Sequence, residues 1–148
     1  MIGIAGSYTF DTSPENIWPR IFDPESLMGL IPGCQTIEQV SADEYRGQID
    51  IGLPAIVSTY QTAVRLVEHD EPQYCTFEGE VDGATGSIKG TASFRLKEVN
   101  GQETLLEYEG QGVITGALGR LHSRFIEGVA QTLIKQGLAR LNRELESD

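Results

Sequence analysis

The chain has 148 residues, the length of one ordinary domain, and residues 1–148 read as a single unit able to bury one core. Eleven basic against 22 acidic side chains give a net charge of −11, which sets the body of the protein against nucleic-acid backbones and bare anionic membranes. Two cysteines, Cys34 and Cys75, are too few and too far apart for a disulfide scaffold or a zinc site, and they read as small buried hydrophobes.

No stretch approaches the length of a membrane span, and the first residues lack the basic and apolar regions of a signal peptide. The expected location is therefore the cytoplasm. The charge is unevenly spread: from Leu118 onward five basic residues (Arg120, Arg124, Lys135, Arg140, Arg143) face four acidic ones, which leaves −12 on everything before. That last segment reads as a solvated helix face or, alternatively, as a docking surface.

In chain order, Ile2, Ile4, Tyr8 and Phe10 alternate with small or polar residues and predict a first strand. Ser13-Pro14 and Asp23-Pro24 each place a capping residue before a proline, the signature of a helix start. Two short helices follow from this, the first turning Ile17, Trp18 and Ile21 inward. Leu27, Met28, Leu30 and Ile31 then run into Pro32 and Gly33, an unusual amount of apolar surface at a helix-to-strand junction.

From Gln35 to about Ile114 the period is two. Strands are expected near 35–40, 44–51, 56–67, 74–81, 87–98 and 103–114, bounded by the turn sequences "GLP", "HDEPQ", "DGATG" and "NGQ". In "SIKGTASFRLK" the inward set is Ile88, Gly90, Ala92, Phe94 and Leu96, so one face of the sheet meets a core and the other meets water. A long helix is expected from about Ala117, with Leu118, Leu121, Phe125 and Val129 in one apolar stripe that continues through Ile134, Leu138, Leu141 and Leu145. The fold class is α+β: a seven-stranded antiparallel sheet wrapped around a long C-terminal helix, with two short helices between strands 1 and 2.

A turn at Asn100-Gly101 makes the residue numbers of cross-strand partners sum to about 202, so Ala92 faces Gly110 and Gly90 faces Gly112. The same parity sets Gly79 beside Gly90. Three inward glycines in a lateral row either leave space that water or a ligand occupies, or let strongly coiled strands bend. With Gly110, Gly116, Gly119 and Gly128, the row places a cavity against the first half of the helix. Its expected lining is Tyr45, Ile49, Tyr60, Thr62, Phe77, Gly79, Gly90, Ala92, Tyr108, Gly110, Gly112, Leu118, Leu121, His122, Phe125 and Val129. Leu27, Met28, Leu30 and Ile31 either plug that end of the core or form the cavity's lid, with methionine giving flexibility. The tyrosines either offer hydroxyls to a ligand or are core aromatics whose hydroxyls reach the rim.

Catalysis finds little support. His69 reads as a loop residue, and His122, near the helix stripe, is a lone histidine without metal-ligand partners. No metal site and no resident cofactor are expected.

The order of elements is that of the START-like helix-grip (SRPBCC) superfamily. Within it, "GSYTFDTSPENIWPRIFDPESLMGLIPGCQTIEQV" resembles the N-terminal signature of the carbon monoxide dehydrogenase G-subunit family, with its Pro-x-x-x-Trp helix, Asp-Pro-Glu and Ile-Pro-Gly-Cys in that order. "GSIKGTASFRL" and "GVITGALGR" are similar to the same family, so the likeness covers nearly the whole chain. Ile31 to Cys34 is its most specific part. The resemblance implies a helix-grip fold with an elongated apolar cavity, and an accessory role in recruiting a molybdenum-containing carbon monoxide dehydrogenase, or a related hydroxylase, to the inner face of the cytoplasmic membrane. A lipid, a fatty acid or an isoprenoid quinone would suit such a cavity. The alternatives are a structural adaptor without ligand and a START-like cyclase or hydrolase.

Overall fold

The computed structural model describes residues 1–31, 33–51 and 58–146, with Leu30 described by its backbone alone. The first strand, β1 (Ile2–Phe10), alternates inward and outward residues over its whole length. Helix α1 (Pro14–Ile21) follows from Ser13 at its N-cap and buries Ile17 and Trp18, while α2 (Pro24–Leu30) starts from Asp23, whose carboxylate accepts the Ser26 hydroxyl at 3.0 Å. Six strands come next: β2 (Cys34–Ser41), β3 (Glu44–Ile51), β4 (Ser58–Asp70), β5 (Tyr74–Gly83), β6 (Gly86–Glu98) and β7 (Thr104–Thr115).

The sheet order β1-β7-β6-β5-β4-β3-β2 is a meander with β1 added beside its last strand. All pairs are antiparallel. The expected start of β4 at residue 56 lies outside the described residues. Its end differs from the expectation: a register shift between Leu66 and Glu68 lets the strand run on to Asp70, so His69 is an exposed strand residue opposite Cys75 and not part of a turn.

The second difference is at the C-terminal helix. Gly116–Arg120 forms a 3-10 turn, and the long helix α3 (Ser123–Glu146) begins six residues later than its apolar spacing predicts. A close approach forces the break. Gly116 has φ +77°, and a β-carbon there would sit 2.7 Å from Gly86 Cα, so the end of β7 passes directly over the β5–β6 hairpin. Leu118 is then held with its N–H on the Thr85 carbonyl at 2.8 Å and its side chain buried.

Polar side chains fix how α3 lies on the sheet. Glu127 accepts the Gly3 N–H at 2.8 Å, Gln131 donates to the Ala5 carbonyl at 3.4 Å, and Asn142 accepts the Asp11 N–H at 3.2 Å. These bonds satisfy backbone groups along β1, an edge of the sheet, and tie the helix to it.

Among the described residues the interior has two clusters. One joins Phe10, Ile17, Trp18, Cys75, Leu96, Leu106 and Leu141, with Phe22, Phe94 and Leu138 packed against it. Its rings interlock, Trp18 standing 4.8 Å from Phe22 and 5.8 Å from Phe94. The other is smaller, Tyr60 and Leu118 with Ile51, Val81, Ile88, Ile114, Leu121 and Val129.

Candidate functional site

The register brings Tyr45, Val64, Gly79, Gly90, Gly112 and Ile2 into one lateral row on the inner face, which includes the three expected glycines as neighbours. The three glycines differ in how much room stands over them. A β-carbon on Gly79 would meet nothing nearer than the Ala63 carbonyl at 3.9 Å, an ordinary contact, so a side chain of one carbon fits there. One on Gly90 would collide with the Gln111 carbonyl and lie 2.9 Å from Gly112 Cα, so Gly90 permits strand curvature.

A groove of about 620 Å³ opens beside the smaller cluster. It runs between α3 and the ends of β2 and β3, lined by Gly33, Asp50 and Ile51 on one side and by Arg124, Phe125, Gly128, Val129, Thr132, Leu133 and Gln136 on the other. From Phe125 to Gln136 the helix advances about 16 Å at 1.5 Å per residue. Its walls are apolar (Ile51, Phe125, Val129, Leu133) with sparse polar groups at the margins. The Asp50 carboxylate accepts the Thr59 hydroxyl at 2.8 Å, while the side chains of Arg124, Thr132 and Gln136 have no hydrogen-bond partner among the described residues.

Of the residues expected to line a cavity, Phe125 and Val129 border this groove. The strand positions Tyr45, Ile49, Tyr60, Thr62, Phe77, Gly79, Gly90, Ala92, Tyr108, Gly110 and Gly112 share the inner face by register, but they are not among its lining residues. Leu118 and Leu121 pack in the smaller cluster beneath it. His122 is placed otherwise than expected. It is exposed, and its Nδ1 accepts the Arg124 N–H at 3.2 Å while its carbonyl takes the N–H of Phe125 at 3.0 Å, so it starts α3 and faces solvent. Phe125 is 42% exposed, a residue of the groove rim and not of the core.

Leu133, Thr132 and Gln136 escape the sequence reading, although Leu133 lies four residues after Val129 and eight after Phe125. That spacing is the signal that identifies them once α3 starts at Ser123. Ile51 escapes because it is the last residue of its strand.

The tyrosine hydroxyls divide. Tyr45 donates to the Phe22 carbonyl at 2.7 Å and Tyr60 bonds Thr85 at 2.8 Å, so neither is free for a ligand. Burial, with Asp23 and Cys75 close by, raises the Tyr45 pKa. The Tyr108 hydroxyl is buried over Gly6 without a hydrogen-bond partner among the described residues. Burial pushes the Cys34 thiol up and the Cys75 thiol up to about 11, so both are neutral near pH 7. Among the described residues no group of His, Cys, Asp or Glu is arranged to hold a metal ion.

The residues of the expected lid, Leu27, Met28, Leu30 and Ile31, are not among the described lining residues of the groove. Arg140 bonds the Gly29 carbonyl and Arg20 meets Glu144 at 3.8 Å, so α1 and α2 lie against the second half of α3 while the groove follows the first half. Leu27 and Ile31 are half-buried, Met28 is 44% exposed, and the Leu30 side chain lies outside the described residues.

A seven-stranded antiparallel sheet holding one long C-terminal helix, with two short helices after the first strand, is the START-like helix-grip architecture. Solved structures with this shape include a conserved protein from Geobacillus kaustophilus (TM-score 0.93, 23% identity, covering 98% of this chain and 95% of that one). A START superfamily protein from Mycobacterium smegmatis (TM-score 0.74, 12% identity, 98% and 97%) and the Zhui aromatase/cyclase from Streptomyces sp. R1128 (TM-score 0.72, 12% identity, 97% and 93%) share the fold as well. No curated protein matches the sequence.

Within that architecture the chain belongs to the carbon monoxide dehydrogenase G-subunit (CoxG) family, whose sequence model matches residues 6–146. It is thus related to an accessory component of carbon monoxide dehydrogenase. No helix among the described residues is long and apolar enough to cross a membrane.

Proposed function

We propose that this protein holds a lipophilic molecule, a fatty acid or an isoprenoid quinone, in the groove along α3. In this role it helps couple a molybdenum-containing carbon monoxide dehydrogenase, or a related hydroxylase, to the cytoplasmic membrane. The carrying observation is the groove itself: about 620 Å³, apolar in its walls, with Arg124, Thr132 and Gln136 at its margins. That volume falls in the range of small-molecule sites, and grease with a few orienting polar groups is how such sites bind.

The proposed role is binding. Among the described lining residues no nucleophile stands beside a base, and His122 is occupied in starting α3. The apolar flank from Leu27 to Ile31, with Met28 exposed, borders the route by which a ligand enters.

The test is mass spectrometry of the purified protein extracted into organic solvent, followed by titration of the stripped protein with a short-chain isoprenoid quinone and with a fatty acid. Recovery of a lipophilic molecule, or saturable binding of either probe, is expected. No molecule recovered from any preparation together with no binding of either probe would refute the reading.

A further inference from the structure

The eleven basic side chains are not used alike. Arg46, Arg65, Lys89 and Lys97 each pair with a carboxylate, at 3.7, 2.6, 3.7 and 2.6 Å, and Arg20 meets Glu144. Arg95 lies over the Tyr74 ring at 4.8 Å, Arg140 bonds the Gly29 carbonyl, and Arg143 is engaged too. The side chains of Arg120, Arg124 and Lys135 have no such contact among the described residues, and all three are exposed.

Their placement is not scattered. Arg120 ends the 3-10 turn that leads into α3. Arg124 and Lys135 are eleven residues apart, about three helical turns, so they share the outward crest of α3 with Gly128 and Thr132 between them. Arg124, Gly128 and Thr132 are at the same time the outer lip of the groove. The nearest carboxylate on that part of the helix, Glu127, is turned to the Gly3 N–H, so no acid interrupts the crest. Beside the cations stands Phe125, 42% exposed, at the mouth of the groove.

We infer that this crest is the surface by which the protein docks on a lipid bilayer rich in anionic headgroups, with the groove mouth turned toward the lipid. The inference rests on the proposed lipophilic ligand, because such a molecule must pass between bilayer and groove without crossing water. Three unpaired cations bind phosphate-bearing headgroups, and an aromatic ring among them takes the interfacial position that aromatic side chains favour. The rest of the chain supplies the orientation: the residues before Leu118 carry −12, so an anionic surface repels them on balance and favours approach by the crest. At physiological salt the screening length is about 8 Å, short enough for the local cations to outweigh the distant carboxylates.

The experiment is co-sedimentation with phosphatidylcholine vesicles and with vesicles half phosphatidylglycerol, at low and at physiological salt. Wild type is expected on the anionic vesicles alone, with binding that weakens as salt rises. The triple variant Arg120→Gln, Arg124→Gln, Lys135→Gln should bind about a hundredfold more weakly, from roughly fivefold per cation near such a surface. A control triple with the same charge change on other faces, Arg46→Gln, Lys89→Gln, Lys97→Gln, should stay within a few-fold of wild type. Wild type that ignores anionic vesicles, or a crest variant that binds them no worse than the control, would overturn the inference, as would equal binding to both vesicle types. Fluorescent fatty-acid uptake in vesicle-free solution, by wild type and by the double variant Arg120→Gln, Lys135→Gln that leaves the groove lining untouched, reports on the groove separately: retained uptake with vesicle binding weakened about twenty-five-fold upholds both readings, and absent uptake in wild type counts against the ligand alone.

Discussion

The two ends of the sheet's inner face are made from the same kind of strand and finished differently. At the end held by α1 and α2, rings and branched chains from five elements meet: Phe10 and Ile17 have no exposed surface, Trp18 touches Phe22 and Phe94, and Leu141 of α3 is buried among them. At the other end Tyr60 and Leu118 are the buried pair, the surrounding residues are half-buried, and a groove opens along α3. The difference shows how a helix-grip fold divides its labour. One end supplies the packing energy that lets the other stay open, since a cavity costs stability that must come from elsewhere.

The largest expected effect falls on the packed end. Trp18→Ala should cost about 3–5 kcal/mol of unfolding free energy, read by urea denaturation, because it removes the ring that joins α1 to β6. A loss below about 1 kcal/mol would mean the two ends are not so unlike.

Between the ends, the glycine row gives a paired test. Gly90→Ala should cost about 1–3 kcal/mol, since its β-carbon meets the Gln111 carbonyl and Gly112 Cα, whereas Gly79→Ala should stay within about 0.5 kcal/mol. Equal costs in thermal or urea melts would show that the row is all curvature and no space.

At the open end the expected signs reverse. Phe125→Ala should change stability by less than about 1 kcal/mol yet weaken lipophilic-probe binding about fivefold to tenfold, because the ring is a groove wall and not a core residue. Fluorescence titration and a melt on the same sample separate the two.

The smallest effect is a slope with pH. Cys75, at the packed end, has its thiol pushed from 9.0 to about 11 by burial, so below pH 9 it is neutral folded and unfolded and contributes nothing. Between those values the unfolded chain ionises first and stability falls as pH rises. Cys75→Val should flatten that fall in denaturation curves taken just below pH 9 and near pH 11.

Much of this contrast is legible in the sequence. Asn100-Gly101 pins the β6–β7 register, and period-two alternation then carries the parity to Gly79 and Tyr45, as the observed pairs Gly90–Gly112 and Gly79–Gly90 bear out. Ser13-Pro14 and Asp23-Pro24 mark both short helices because a proline at the first helical position is a local signal, although neither Ser13 nor Asp23 makes a side-chain capping bond. The break before α3 is not legible, since Leu118, Leu121, Phe125 and Val129 satisfy a helical spacing. What interrupts them is Gly86 meeting Gly116 and Thr85 binding Leu118, contacts about 30 residues apart in the chain. The groove's position is hidden for the same reason. It depends on the roll of α3, set by Glu127, Gln131 and Asn142 against β1, and no local pattern announces those bonds.

The most direct measurement is a backbone-amide NMR titration of the stripped protein with a short-chain isoprenoid quinone and, separately, with a fatty acid. Shifts are expected to concentrate at Ile51 and along Phe125 to Gln136, with Trp18, Phe94 and Leu141 unmoved. Shifts confined to the packed aromatic end, or none at saturating amounts of either probe, would contradict a ligand groove along α3.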